Sequence, residues 1–533
     1  MTPTDSPAPD GKPHQTSIDD EATERTHLLA SSLIASAQDP DVAEGLTSTA
    51  SSQPKPDSKP LPRSQIILLC YARLVEPIAF FSIFPYINAM LIYNSDLADT
   101  DVGFYSGLIE SLFSLTQMSV MMLWGLAADR VGRKPVLVFS LIGVSIATAL
   151  FGFARTIWQM ILFRCIAGVF AGTIVTIRTM ISEHSTKETQ ARAFSWFAFA
   201  GNLGILIGPL IGGALAEPAT QYPRAFGNVA FFRHFPYTLP SFVVGIIGLS
   251  SVVTSALFVK ETLKPKSKDG SDEPNGEPDS IPKPPTLSTW ELVKSPGVGV
   301  VLYVYAHIML LAFSYTAIVP VFWFTPIHLG GFGFTPFYIS ICMGLTGFSQ
   351  ASWLLLIFPP LQHRIGTNGV MRLCAYAYPI VMATCPLLNL LLRQGTPAAE
   401  CAFWILAPIF LLVGPGVSMS FTAIQLALND VSPSQKTLGR LNALALTGMS
   451  ALRSFTPALF TTIFAVGART QVLGGYLVWL VMVLISLGFT VVVRWLPAAS
   501  ERDYPGIQED DAVADNGDGN GAVVDEEGRE RPS

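Results

Sequence analysis

Charge is scarce in this 533-residue chain: Asp, Glu, Lys and Arg together make up 14% of it, where a soluble domain carries roughly 25%. With half of the residues hydrophobic, that scarcity excludes an ordinary water-soluble fold. Cysteine is sparse too. Five of the six (Cys70, Cys165, Cys342, Cys374, Cys385) lie inside apolar runs, so they read as packing residues and not as a disulfide framework, and Cys401 alone gives no redox signal. No GxSxG, HExxH or zinc-ligand cluster is present, which disfavours a membrane enzyme. The only Gly-Lys pair, Gly11-Lys12, precedes a proline, so no phosphate loop can be built and an ATP-driven pump is disfavoured.

What the chain does have is apolar length. A helix needs about 20 mostly apolar residues to cross the hydrocarbon core, and twelve such runs are present: 65–92, 103–127, 136–154, 157–181, 192–215, 237–259, 297–325, 336–360, 369–392, 401–428, 438–466 and 474–496. Residues 1–63 lack an apolar h-region and are rich in Ser, Thr, Pro, Asp and Gln, which predicts a disordered tail and no cleavable signal peptide. A polar, Pro-rich linker at 260–296 divides the body into a first six-span bundle (64–259) and a second (297–496), and an acidic disordered tail follows at 497–533.

The net charge of -6 averages unlike parts: the tails carry -5 and -8, the body between them +7. With both termini in the cytoplasm, inner loops and helix ends hold 16 Lys/Arg and outer loops five, so the positive-inside rule sets that orientation. The two halves echo each other. ADRVGRKPV (128–136) follows span two and HRIGTNGV (363–370) follows span eight, aligning Arg130, Gly132 and Val136 with Arg364, Gly366 and Val370. SEHSTKETQARA (182–193) after span four likewise echoes NDVSPSQKTLGRL (429–441) after span ten, with one gap.

Six charged residues fall inside the spans: Arg73, Glu76, Glu110, Arg164, Arg178 and Arg453. At roughly 2.5 to 3.5 kcal/mol each, leaving all of them unpaired would cost on the order of 15 to 20 kcal/mol, more than a typical folding stability. They must pair or line a water-filled cavity. Arg73 and Glu76 stand i, i+3 on one helix face, and Pro77 marks a place for a local break. Glu110 and Arg164 lie at similar depth, about 10 Å from the outer face, which puts a contact within reach. For either carboxylate two readings stand: a static ion pair, or a group that binds and releases a proton as the cavity opens. Polar stripes at helical spacing add Gln117 on span two, His307 on span seven, and Asn442 and Arg453 on span eleven as cavity candidates. His307 has no second ligand at i+3 or i+4, and no metal site is expected.

Three motifs are more specific. WGLAADRVGRKPVL (124–137) gathers Asp129, Arg130, Arg133 and Lys134 around Gly125 and Gly132; LFRCIAG (162–168) carries the lone charge Arg164; GILIGPLIGG (204–213) repeats glycine at 204, 208 and 212, with Pro209 and Gly213 beside them. Over essentially all of 64–496 the sequence resembles the major facilitator superfamily. The first motif looks like the family's loop 2-3 motif, the second like its span-four arginine motif, and the third is similar to the span-five motif of twelve-span drug:H+ antiporters. GGALAEPATQYP (212–223) and FPYTLPSF (235–242) resemble the fungal and plant branch that includes zinc-induced-facilitator-like carriers.

The resemblance implies an all-α fold of two pseudo-symmetric six-helix bundles. It implies that Asp129 holds the halves together on the cytoplasmic side, with Arg133 and Glu183 as charge partners, that Arg164 tunes a proton-binding carboxylate (Glu76 or Glu110), and that Gly208, Pro209 and Gly212 shape span five against the other half. His363 and Thr367 replace the Asp and Arg of the motif in the second half, where a weaker lock is expected. The expected activity is proton-coupled export of a small amphipathic organic molecule (drug, toxin or secondary metabolite) by alternating access, without cofactor or nucleic acid, by a monomer in the bilayer. Two alternatives are an uptake symporter and a vacuolar carrier of a metal-chelating small molecule. Sugar symporters carry PESPR-like and PETKG-like segments after spans six and twelve, where this chain has VKETLKP and RWLPAASERD. ERTHLL (24–29) fits an acidic dileucine signal through Glu24, Leu28 and Leu29, pointing to a vacuole or endosome; the default expectation is the plasma membrane.

Overall fold

The computed structural model describes residues 62–186, 189–263, 289–432 and 435–497. The expected tails and the middle of the linker, with the Glu24, Leu28 and Leu29 motif, lie outside the described residues. Among the described residues eleven helices are long and apolar enough to cross a membrane. One of them, Pro336–Arg393, has 58 residues; at 1.5 Å per residue it would reach nearly 90 Å, about three bilayer cores. It is two spans joined at Gly366, whose φ of 72° and ψ of 168° are not helical. The count is therefore twelve, and the fold is all-α.

The remaining spans are Arg63–Phe81, Val102–Val131, Arg133–Phe151, Ile157–His184, Arg192–Leu215, Thr238–Phe258, Val298–Phe324, Pro397–Asp430, Arg440–Thr470 and Leu477–Trp495. Buried apolar residues form cores that respect the linker: one gathers residues 292 to 496, two others residues 66 to 259. The linker is not polar throughout. Its last turn is the helix Thr289–Lys294, whose Leu292 is buried in the second core.

Several spans are broken, and the breaks lie where backbone groups find side-chain partners. Span one stays helical through Pro77 to Phe81, turns at 82–86 and resumes at Ile87–Tyr93, so the break falls beyond the proline. Span four stops at Phe170 and restarts at Thr173. Span ten stops at Val413, passes through a 3-10 turn at Gly414–Ser418 and restarts at Met419. The internal repeat reappears in three dimensions at these breaks. The Trp124 indole of span two donates to Val169 O at 2.6 Å, and the Trp353 indole of span eight donates to Leu412 O at 2.8 Å. The loop register agrees as well: Gly132 (φ 121°) and Gly366 (φ 72°), aligned in the two motifs, both take the left-handed backbone that suits glycine, and the aligned Val136 and Val370 are both buried.

The glycine stripe of span five packs differently from the expectation. A Cβ on Gly204 would meet Leu74 O and Pro77, one on Gly208 would meet Ile78 O, and one on Gly212 would collide with Ser82 O, all on span one of the same half. Side chains on the flank of the stripe, Leu206 and Leu210, meet Gly347 and Gly344 of span eight, and Gly213 abuts Ser340 there. The stripe therefore closes spans one and five on each other, and its flank faces the other half. Gly212→Ala is expected to lower stability by about 1 to 3 kcal/mol through overpacking against rigid backbone, read as a fall in the thermal unfolding midpoint of purified protein.

Candidate functional site

Between the two halves lies a cavity of about 400 Å³, lined from spans one, two, four, five, seven and eleven. The end remote from the loop 2-3 motif is sealed by close packing between halves. Gly103 and Gly107 of span two leave room for Thr461 and Phe464 of span eleven, and Ser111 Oγ accepts from the Ala458 amide at 2.9 Å.

The sequence places Arg73 and Glu76 one turn apart on span one, and the fold completes the Glu76 site with residues from two other spans. Arg73 Nη1 lies 3.6 Å from Glu76 Oε2, with side chains 16% and 12% exposed. Gln117 Nε2 donates to Glu76 Oε1 at 2.6 Å, and Thr173 Oγ1 donates to Oε2 at 2.7 Å. The same Gln117 amide also donates to Ala171 O at 3.0 Å, a carbonyl at the break in span four. Thr173 begins the helix beyond that break. One amide thus bridges the broken backbone and the carboxylate, so the break and the ion pair support each other.

Glu110 is built in another way. It is 7% exposed, lines the cavity and forms no hydrogen bond or ion pair within 4 Å among the described residues. The expected contact with Arg164 is not made. The Arg164 guanidinium lies over the rings of Phe113 (4.4 Å) and Phe80 (5.3 Å), with Nε and Nη2 unpartnered. Equal depth along two helices did not bring their side chains together, because Phe113, one turn beyond Glu110, takes the guanidinium face. The charges acting on Glu110 are Arg453, from the second half, and Arg164 behind it. Arg453 itself lies 4.2 Å over the Phe80 ring.

The other predicted residues divide. Gln117 and Arg453 line the cavity. His307 and Asn442 do not: His307 Nε2 lies 2.9 Å from Ile485 O beside Phe489 of span twelve, and Asn442 accepts from Gln425 at 2.8 Å. Each sits on a polar stripe that faces a neighbouring helix. In the loop after span two, Arg133 pairs with Asp129 (2.6 Å) and Glu183 (3.1 Å), all within the first half. No ion pair joins Asp129 to the second half among the described residues.

Glu261, just after span six, is a residue the sequence reading passed over. Its carboxylate accepts the backbone N–H of Arg133 (2.9 Å) and Lys134 (3.1 Å), and those of Thr262 and Leu263. Gly132 is needed beside it, since a Cβ there would stand 2.7 Å from Glu261 Oε2. Partial burial pushes the Glu261 carboxyl up, but the amides outweigh it and hold the group below the usual carboxylate range. A depressed pKa stabilises the fold above the ordinary carboxylate value and loses that contribution as pH falls through the lower, folded one. The difference in unfolding midpoint between the parent protein and Glu261→Gln should therefore be constant near neutral pH and shrink in acid below about pH 4.

Comparison with known proteins gives a consistent picture. The model of the Major Facilitator Superfamily matches residues 69–457. The chain is 47% identical over 448 residues to the Efflux pump azaK of Aspergillus niger, covering 84% of this chain and 91% of that one. It is 28% identical to Protein ZINC INDUCED FACILITATOR-LIKE 1 of Arabidopsis thaliana, covering 82% and 91% of the two chains. Among solved structures, a bacterial homologue of the human lysosomal transporter Spinster, in an inward-facing and occupied conformation, superposes with a TM-score of 0.57 at 15% identity, covering 83% of this chain and 98% of that one.

Proposed function

Since this chain belongs to the major facilitator superfamily, and so is a multi-pass membrane transporter and not an enzyme, we propose that it exports a small amphipathic organic molecule in exchange for protons, by alternating access. One observation carries the proton coupling: the two membrane carboxylates differ in how completely they are partnered. Glu76 accepts two hydrogen bonds and pairs with Arg73, so a proton there would displace a donor. Glu110 has no donor to lose and faces the cavity. Its opposing charges sit on different bodies, Arg164 on its own half and Arg453 on the other. Rocking the halves changes the distance to Arg453 alone, which ties the proton affinity of Glu110 to the state of the gate.

Export is supported by the efflux role in the name of the Aspergillus relative. The plasma membrane is the compartment this reading favours. A proton moving down about 100 mV supplies roughly 2.3 kcal/mol, enough for about a fiftyfold gradient before any pH difference is added. The test is flux in proteoliposomes of the full-length protein. A pH gradient should drive accumulation of a permanently charged naphthalene probe (the 2-sulfonate or the 2-trimethylammonium), and a protonophore should abolish it. Flux of neither probe, or flux indifferent to the protonophore, would sink the antiport reading.

A further inference from the structure

The charges around the cavity do not balance. Four arginines and two carboxylates lie in the apolar spans, and Arg73, Arg178, Arg453, Glu76 and Glu110 line the cavity itself. The Arg73–Glu76 pair cancels. Arg453 and Glu110 line the same cavity from opposite halves. Arg178, on the cavity wall, and Arg164, buried behind it, are left without a carboxylate within 4 Å among the described residues.

Aromatic rings stand where carboxylates would be expected. Arg178 (5.5 Å) and Arg73 (5.1 Å) share the ring of Phe197, and Arg164 (5.3 Å) and Arg453 (4.2 Å) share that of Phe80. A ring face attracts a cation without neutralising it, so the positive potential persists in the cavity. The Nε atoms of Arg178 and Arg164 have no acceptor. Buried guanidinium donors without acceptors are costly, and a bound anion repays that cost with charge-assisted hydrogen bonds. The rest of the wall, with Phe81, Phe313 and Met121 among its residues, suits an apolar body.

Resting on the transport reading above, we propose that the substrate class is an amphipathic organic anion, its carboxylate, sulfonate or phosphate group held between Arg178 of span four and Arg453 of span eleven, its ring system against the phenylalanines. A cation in the same place would add to an unbalanced positive charge. Because the two arginines come from opposite halves, such an anion also bridges the two bodies that must move together.

The experiment compares three ligands with one ring system: naphthalene-2-sulfonate, naphthalene-2-sulfonamide and 2-naphthyltrimethylammonium. Each is titrated against purified full-length protein and followed by intrinsic tryptophan fluorescence. The sulfonate is expected to bind at least about tenfold tighter than the other two, as one added charge-assisted bond implies. Arg178→Gln and Arg453→Gln should each weaken the sulfonate by about tenfold or more and leave the sulfonamide unchanged, with Arg453→Lys retaining part of the preference. Equal or tighter binding of the ammonium or the sulfonamide overturns the proposal. So does failure of the sulfonate to bind at millimolar concentration. These outcomes are read on the parent protein and do not depend on the variants folding. They are also separate from the transport test: sulfonate that binds selectively but moves without regard to a proton gradient would break the antiport reading and leave the anion site standing.

Discussion

Glu110→Gln is expected to abolish pH-gradient-driven flux, by about 100-fold or more, while counterflow of labelled against unlabelled probe continues at a rate within a few fold of the parent protein. The magnitude follows from the role assigned to it: a glutamine cannot carry the proton, so the coupled cycle loses its only driving ion. Exchange needs the cavity to reorient but no net proton movement, so it survives. Glutamine at position 110 is close in volume and interrupts no hydrogen bond, because Glu110 makes none. Proteoliposomes assayed for both modes give the answer. Loss of both would mark Glu110 as a structural residue or a substrate contact; retention of both would remove it from the proton path.

Glu76 should behave in the opposite sense. Glu76→Ala strips acceptors from Gln117 and Thr173 and leaves Arg73 as a buried cation without its carboxylate. Removing one partner of a buried pair costs about 3 to 5 kcal/mol, because the remaining charge has nowhere to go. The side chains of the Glu76 pair are only 16% and 12% exposed and are held by three spans, so the discount for solvent screening is small. The expected result is a large fall in the unfolding midpoint and in the yield of folded protein. Glu76→Gln should recover part of the loss, since its amide oxygen still accepts one bond. A Glu76→Ala protein as stable as the parent would show that the Gln117 and Thr173 bonds hold no weight in the bundle.

Much of this architecture was legible from composition and spacing alone. Twelve apolar runs, the rare charges within them and the aligned loop glycines all survive in the structure, because each depends on one helix or one turn at a time. The Arg73–Glu76 pair belongs to that class: i, i+3 spacing decides it without reference to any other span. What the sequence did not reveal depends on how helices rotate against each other. Thr173 meets Glu76 because span four breaks at Ala171 and Gly172 and restarts on a new axis; the only signal was a glycine placed shortly after the arginine motif. Depth along a span says nothing of azimuth, and a ring receives Arg164 where Glu110 is expected. His307 and Asn442 lie on stripes that a helical wheel marks as polar, yet a wheel cannot say whether a stripe faces water or a neighbour. Glu261 sits in a polar stretch where a carboxylate draws no notice, and only its four amide donors set it apart.

The two left-handed glycines have surroundings that differ sharply. At Gly132 the corner is filled by the Glu261 carboxylate and its backbone donors. At Gly366 nothing stands within 4 Å of where a Cβ would be, and the nearby ties are neutral hydrogen bonds, from the Asn368 amide to Pro497 O and from the Gln362 amide to Thr367 Oγ1. A duplicated scaffold has thus acquired one braced corner and one bare corner. In the rocking motion proposed above the bare corner is expected to yield first, which would make the second half the more compliant lever of the pair.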